Sequence, residues 1–190
     1  MKLTLIRTAR ETGKETFSTW PSDTLMEKMK TENKAGHISA LRSLIPHITG
    51  SNGHYPCIDK LPRICLPQNM PQQRGERYLK TYNGLVQIEV NHLANAVEVE
   101  QVKRQAALLP QTFAAFCGSS GRSVKIWVLF ATPDGSRPRQ EEKIRLFHTA
   151  AYRLAVNCYQ PLLPYPVTLK EPAVEQSCRM TLDDRPYYNP

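Results

Sequence analysis

The chain has 190 residues, with 25 Lys and Arg against 17 Asp and Glu, so its formal net charge is +8 at pH 7. Hydrophobic residues make up 41% and charged residues 22%, which excludes a collagenous or wholly disordered chain. No apolar run approaches the roughly 20 residues of a membrane span, and the apolar stretch after Lys2 is too short for a secretory signal. We therefore expect a cytoplasmic protein without a membrane partner.

The first part of the chain predicts short elements separated by irregular segments. Alternation over 2–7 predicts a strand, and Ser22 or Asp23 can cap the helix that follows. A second short helix is expected over 37–44. The apolar patch LPRICLP at 61–67 predicts a short strand within a stretch rich in Pro, Gly, Asn and Gln.

The pattern is more regular in the second part of the chain. Residues 85–91 alternate between apolar and polar, which is typical of a strand with one buried face. Asn95 and Glu98 have the spacing of a capping box and predict the start of a helix. The remaining elements are the two strands of a hairpin, a helix and a final strand, at 112–117, 123–131, 139–157 and 177–182.

This order of strand, helix, hairpin, helix and strand is close to the split βαβ plan. It predicts an α/β (α+β) fold with an antiparallel hairpin within the sheet and helices on one face, which leaves the other face open for function. We treat 1–190 as a single domain, with an irregular N-terminal module over 1–78 and a motif-bearing module over 79–190.

Side-chain alternation places polar residues of three strands on the open face. The set includes two carboxylates near two cations: Glu89, Asn91, Lys125, Arg179 and Asp183. Oxygen ligands suit Mg²⁺, and cations beside a Ser/Gly turn suit phosphates. The same residues also fit a cross-strand charge ladder, with Glu89 paired to Lys125 and Asp183 paired to Arg179.

Two further residues near this polar set each have a functional and a structural interpretation. Trp127 shares the open face and could stack on a base, or pack against another element. His92 could ligate a metal, but alternation places it on the core side, where a structural role is expected. Dispersed basic residues fit a polyanion partner as well as a solvated surface.

Three blocks of the sequence together carry a family resemblance. They are YNGLVQIEVNHL at 82–93, FAAFCGSSGRSVKIWV at 113–128 and SCRMTLDDRPYYNP at 177–190. This ordered set resembles the primase-like N-terminal domain of virulence-associated E (VirE) type proteins, a branch of the archaeo-eukaryotic primase (primase-polymerase) superfamily. The resemblance implies a primase-polymerase-like, RRM-related mixed sheet.

The resemblance also implies a site. Metal, Mg²⁺ or Mn²⁺, would be held by the acidic positions of the first and third blocks, here Glu89, Asn91 and Asp183, which with Lys125 would be the catalytic set. The expected nucleotide- or phosphate-binding residues, Arg179 being added from the strand alternation, are Ser120, Gly121, Arg122, Ser123, Lys125 and Arg179.

Two departures from the family pattern bear on activity. Asn91 replaces a charged ligand with a neutral one, and Ser123 stands where the motif usually has glycine. We therefore expect a nucleic-acid- or nucleotide-binding domain of a replication or mobile-element protein, with a degenerate metal site and weak or no polymerase activity. The alternatives are an active metal-dependent primase-polymerase and a non-catalytic module that docks a protein.

The implied partners are DNA or RNA, a nucleoside triphosphate, and a helicase-type domain or protein. Because the family usually places this domain ahead of a helicase-like region and the chain stops after its third block, we expect the N-terminal part of a longer protein or a short stand-alone version.

Overall fold

The structure, a computed structural model, describes residues 1–9, 12–31, 37–44, 61–66, 72–73, 76–77 and 81–190. In these residues, two antiparallel four-stranded sheets, one two-stranded sheet and four helices form an α+β fold. The helices are α1 (Ser22–Lys30), α2 (His37–Leu44), α3 (Ala96–Ala106) and α4 (Glu141–Tyr159). The strands are β1 (Lys2–Thr8), β2 (Glu15–Pro21), β3 (Arg63–Cys65), β4 (Gln72–Gln73), β5 (Glu76–Arg77), β6 (Leu85–Val90), β7 (Thr112–Cys117), β8 (Val124–Leu129), β9 (Ser177–Arg179) and β10 (Tyr187–Tyr188).

The sequence predicted most of these elements. All four helices lie within a few residues of their expected bounds, as do the strands β1, β3, β6, β7 and β8. The side chain of Asn95 accepts a hydrogen bond from the backbone N–H of Glu98 (3.1 Å), and the Glu98 carboxylate accepts one from Ala94 N (2.7 Å). The predicted cap therefore starts α3 by satisfying backbone donors that the helix itself leaves unpaired.

The second sheet has the strand order β10-β7-β8-β6. β6 and β7 each pair antiparallel with β8, so they run parallel to one another with β8 between them. α3 connects β6 to β7, which makes this unit the split βαβ arrangement that the sequence predicted. Every pair of hydrogen-bonded strands in the described residues is antiparallel, however, so the expected mixed sheet is not what forms.

Two helices cover one face of the second sheet, as predicted. Val86 and Ile88 of β6 are buried against Val102 of α3 and Ala155 of α4, all at most 1% exposed. In the described part of the chain, no helix combines the length and the hydrophobicity that crossing a membrane requires. The boundary predicted at 78/79 lies outside the described residues.

The prediction of an open sheet face is wrong. The first sheet, with the order β2-β1-β3-β9, packs there, and its Leu3 and Ile64 share a core cluster with Trp127 and Phe116 of the second sheet. Trp127 is 0% exposed, with its ring 4.8 Å from that of Phe116 in an edge-to-face contact. Its indole N–H donates to Oε1 of Gln87 (3.0 Å), so a polar side chain read as solvent-facing is buried and satisfied.

The final strand also lies elsewhere than predicted. β9 ends at Arg179 and pairs with β3 in the first sheet, not with the hairpin. Because the strand stops there, alternation does not continue through the segment that follows: Thr181 and Asp183, expected on an open face, are 2% and 5% exposed. The strand beside the hairpin is β10, which pairs with β7 and which the sequence did not reveal.

Candidate phosphate-binding site

A polar cavity of about 430 Å³ lies between the two sheets, at the end of β6. We call it the Glu89 cavity. It contains all the predicted site residues except Gly121 and Asp183. Those lining it are Glu89, Asn91, Ser120, Arg122, Ser123, Lys125 and Arg179.

Glu89 is the acidic centre of this cavity. It is 2% exposed, and Lys125, its register partner on β8, donates to its Oε2. Nζ of Lys170 forms an ion pair with Oε1, to which Nδ2 of Asn91 also donates (2.9 Å). The charge-ladder interpretation is therefore correct for Glu89 and Lys125, although the pair is buried and joined by a second lysine.

These contacts keep Glu89 ionised. Burial by itself would raise the pKa of the carboxyl group, but the charge of Lys125 and the hydrogen bonds from Lys125, Lys170 and Asn91 outweigh it and lower the pKa to about 2. The cavity thus holds a fixed negative charge that is outnumbered by its two lysine partners.

The turn at 118–121 forms one wall of the cavity. Gly121 N donates to Gly118 O (3.0 Å), and Gly121 has φ = +75°, a conformation that glycine adopts without steric cost. A Cβ at Gly118 would overlap with Oγ of Ser123, so a side chain at this position requires the Ser123 hydroxyl to move. Arg122 then reaches Leu93 O through its Nε (3.0 Å), which ties the turn to the segment after β6.

Arg42 of α2 also holds the turn in place through hydrogen bonds. The guanidinium of Arg42 donates to the carbonyl oxygens of Gly118 (3.1 Å) and Leu182 (2.6 Å). It thereby links the turn to the third sequence block without lining the Glu89 cavity.

The charges of the cavity favour an anion. Of the described residues that line it, four are basic and one is acidic, and three serines of the turn region add hydroxyl groups. The three serines are Ser119, Ser120 and Ser123. Positive charge combined with hydroxyl donors is the chemistry that binds phosphate.

Asp183 lies in a different environment from Glu89. Its carboxylate accepts hydrogen bonds from Lys103 Nζ (2.9 Å to each oxygen), from Cys117 N (2.7 Å) and from Arg185 N (3.0 Å). It lines a separate cavity of about 560 Å³, together with Gly121 and Arg42. The predicted pair between Asp183 and Arg179 is replaced by the pair with Lys103.

The residues present do not fit the metal site that the family resemblance implied. Both carboxylate oxygens of Glu89 are bound by lysines, and the Asp183 carboxylate is used by another lysine and two backbone donors. Within the described ranges, no three His, Cys, Asp or Glu side chains are grouped as a metal would require.

Sequence reasoning missed several residues of the cavity. Lys170 comes from the irregular segment between α4 and β9, which reaches β6 through a hydrogen bond from Thr168 N to Glu89 O (2.8 Å). No local pattern identifies such a residue. His92 was expected on the core side, but it is exposed and has φ = +61°, because β6 ends at Val90 and the alternation ends with it.

Comparison with known proteins gives a family assignment. Residues 57–188, more than two thirds of the chain, match the family model of the BT4734-like N-terminal domain. The chain belongs to this family. Neither the curated proteins nor the solved structures contain a match.

The match corrects the resemblance drawn from the three sequence blocks. The family that matches is distinct from the VirE-type primase-like domain, so that assignment is wrong. The primase-polymerase form of the fold is not confirmed; the α+β architecture is what the structure shows. The replication role and the helicase-type partner were expected because of that resemblance. Without it they stay predictions.

Proposed function

We propose that this domain binds the phosphate groups of a nucleotide or of a nucleic acid strand in the Glu89 cavity. The proposal is a binding function, because the donor set does not fit a metal site. The observation that carries it is the excess of cations over the one carboxylate, Glu89, among the described residues that line this cavity. Lys125 and Lys170 both contact Glu89, so one negative charge is shared by two positive ones.

Two arginines add to the excess of positive charge around the Glu89 cavity. Arg122 and Arg179 line the same cavity, and each donates to a backbone carbonyl oxygen, of Leu93 (3.0 Å) and Leu61 (3.4 Å) respectively. These contacts hold the two guanidinium groups beside the cavity. A fixed cation loses less conformational freedom when it binds a ligand, which favours affinity.

Glu89 has a supporting role in this arrangement. Its charge offsets the repulsion between the two ammonium groups and holds them at one end of β6. An ionised carboxylate that stays charged above about pH 2 keeps this arrangement over the whole physiological range.

Size and net charge agree with a nucleotide ligand. A volume of about 430 Å³ lies within the range of small-molecule and cofactor pockets, roughly 300–1,000 Å³. The +8 charge of the chain would attract a polyanion at long range. We therefore expect phosphate contacts to dominate affinity, with strong dependence on salt.

Binding to a labelled single strand and to a nucleoside triphosphate, measured by fluorescence anisotropy at several salt concentrations, tests this proposal. Lys170→Ala should weaken both ligands and reduce the slope of log K against log salt for the strand by about 1. Lys170 is suited to the test because it is 43% exposed, and Glu89 keeps its pair with Lys125 in this variant.

Lys143→Ala is the matched control, since Lys143 is an exposed lysine of α4 that does not line the cavity. It should bind like the wild type. Equal affinities for Lys170→Ala, Arg122→Ala and the wild type would contradict the proposal. Capture of a protein partner that is insensitive to salt and to added nucleic acid would instead support the docking alternative.

A further inference from the structure

A second basic cavity lies at the other end of β6. It measures about 720 Å³, and among its lining residues are Tyr82, Ser136, Arg137 and Arg139. No acidic residue is among the described residues that line it. It therefore differs from the Glu89 cavity, where a carboxylate is part of the wall.

The sequence Arg137-Pro138-Arg139 presents two guanidinium groups to this cavity. Proline fixes its own φ and keeps the residue before it extended, which limits the conformations of this segment. Both arginines are exposed and both line the cavity. Two forked cations on one wall match the oxygens of a phosphate group.

The backbone around the arginines is preorganised. Ser136 N donates to Oδ1 of Asp134 (3.0 Å), and Thr132 N donates to Ser136 O (3.0 Å), which closes a tight turn immediately before Arg137. Arg137 then packs over the backbone of Gly84: a Cβ placed at Gly84 would lie 2.8 Å from Nε of Arg137. The guanidinium is therefore placed by the backbone immediately before β6 as well as by the turn.

These two arginines differ from those cations of the chain that are paired with carboxylates. Arg145 pairs with Glu141 and Glu175, while Lys103 and Lys125 pair with buried acids. Neither Arg137 nor Arg139 forms an ion pair with any residue that the structure describes. Two guanidinium groups without an ion-pair partner among the described residues, beside a cavity whose described lining holds no carboxylate, favour an anion from outside the chain.

We propose that Arg137 and Arg139 form a second phosphate-binding site, which holds the backbone of the same nucleic acid strand that enters the Glu89 cavity. This rests on the proposed function and makes the ligand a strand instead of a single nucleotide. Gly84, beneath Arg137, and Glu89 are five residues apart along extended chain, so their backbone positions are about 17 Å apart. Because α4 lines one cavity and β9 the other, the nucleic acid passes around β6, the edge strand of its sheet, to reach both. A mononucleotide can occupy one site, whereas a longer strand can occupy both and gains from their linkage.

The test compares Arg137→Ala/Arg139→Ala with Lys143→Ala/Arg153→Ala, a double variant of exposed α4 residues with the same loss of charge. The ligands are a nucleoside triphosphate and a single strand long enough to reach both cavities. The first variant should weaken the strand about tenfold or more and lower its salt slope by about 1–2, with triphosphate affinity unchanged. The control should retain strand binding to within about twofold of the wild type. A third variant, Arg137→Lys/Arg139→Lys, should recover the salt slope but only part of the affinity, because lysine lacks the guanidinium fork.

The outcomes separate the two proposals. If Lys170→Ala weakens both ligands while the Arg137 and Arg139 variant binds the strand as the wild type does, the second site is refuted and the proposed function stands. If the control weakens the strand equally, the effect is one of net charge and the second site is also refuted. If no variant changes either ligand, both proposals fail. Thermal unfolding of each variant verifies that these surface changes leave the fold intact.

Discussion

Nζ of Lys103 lies 2.9 Å from each carboxylate oxygen of Asp183, and both side chains are almost fully buried, at 4% and 2% exposed. The pair joins α3 to the C-terminal segment, and Asp183 also accepts a hydrogen bond from Cys117 N in β7 (2.7 Å). Through the ion pair and this hydrogen bond, Asp183 fastens the third sequence block to both a helix and a strand.

Removing one partner of this pair should destabilise the protein strongly. Lys103→Met leaves Asp183 as a buried charge without its counterion, and such a change costs about 3–5 kcal/mol. The free energy of unfolding, measured by urea denaturation, should fall by this amount.

Arg104→Ala is the control for the same helix, because Arg104 is exposed and forms no ion pair with a described residue. Its effect should stay within about 0.5 kcal/mol. The double variant Lys103→Met/Asp183→Asn should be less destabilised than Lys103→Met alone, since the unpaired charge is gone. A loss in Lys103→Met as small as that in Arg104→Ala would show that the ion pair does not fasten the segment.

Glu89 should make stability depend on pH in the acid range. Its pKa is about 2 in the folded protein against 4.5 ordinarily, so the unfolded chain binds a proton at a pH where the folded protein does not. The ionised carboxylate therefore contributes stability that is present above about pH 4.5 and is lost as the pH falls towards 2. The full effect should be on the order of 3 kcal/mol.

The measurement is the unfolding free energy of the wild type minus that of Glu89→Gln between pH 7 and pH 2. This difference should be constant above pH 5 and should shrink below it. Glu142→Gln is the control, since Glu142 is exposed at the start of α4. A difference that does not change with pH would mean that the two lysines do not hold Glu89 ionised.

Protonation of His148 should lower the stability of the protein in a second, higher pH range. His148 is 2% exposed, and burial lowers its pKa to about 4, although the charge of Glu175 opposes this. Nδ1 is hydrogen-bonded to the hydroxyl of Tyr82 (3.1 Å). Because the unfolded chain binds a proton near pH 6.5, stability should be complete above that pH and should decrease as the pH falls from 6.5 to 4.

His148→Gln should remove this dependence between pH 6.5 and 4 while leaving the Glu89 transition below pH 4.5 in place. The midpoint of urea unfolding, followed at half-unit intervals of pH, resolves the two ranges. His92→Gln is the control, because His92 is exposed. If the wild type and His148→Gln lose stability in parallel from pH 6.5 to 4, buried His148 does not cause the effect.

Local patterns predicted the elements well because each depends on neighbouring residues. The capping pair before α3 is one example. The strand β6 is another, since it forms where the alternation predicted a strand, although all six of its residues are buried. The open sheet face failed for a different reason. Gln87 and Glu89 are polar residues that are buried with their partners, and those partners, Trp127 and Lys170, are 40 and 81 residues away in the chain. No local pattern shows that a polar side chain has such a partner.

The candidate site was predictable where one strand pair determined it. Glu89 faces Lys125 because the hairpin and β6 have a definite register. Asp183 was assigned to the same group by extending the alternation of β9, but the strand ends four residues earlier, at Arg179. The position of the segment after β9 depends instead on the buried pair with Lys103.

The turn beside the Glu89 cavity supplies the last prediction, at Gly118. A Cβ at this position would overlap with Oγ of Ser123 and lie 3.6 Å from Cε of Lys125. Gly118→Ala should therefore displace Ser123, destabilise the protein by about 1–3 kcal/mol and weaken phosphate binding at the neighbouring lysine.

Ser123→Gly removes the side chain that causes the overlap, so Gly118→Ala/Ser123→Gly should recover most of the lost stability. The measurements are urea unfolding and nucleoside triphosphate affinity for the two single variants and the double variant. Equal stability of Gly118→Ala and the double variant would show that the two positions do not interact through this contact.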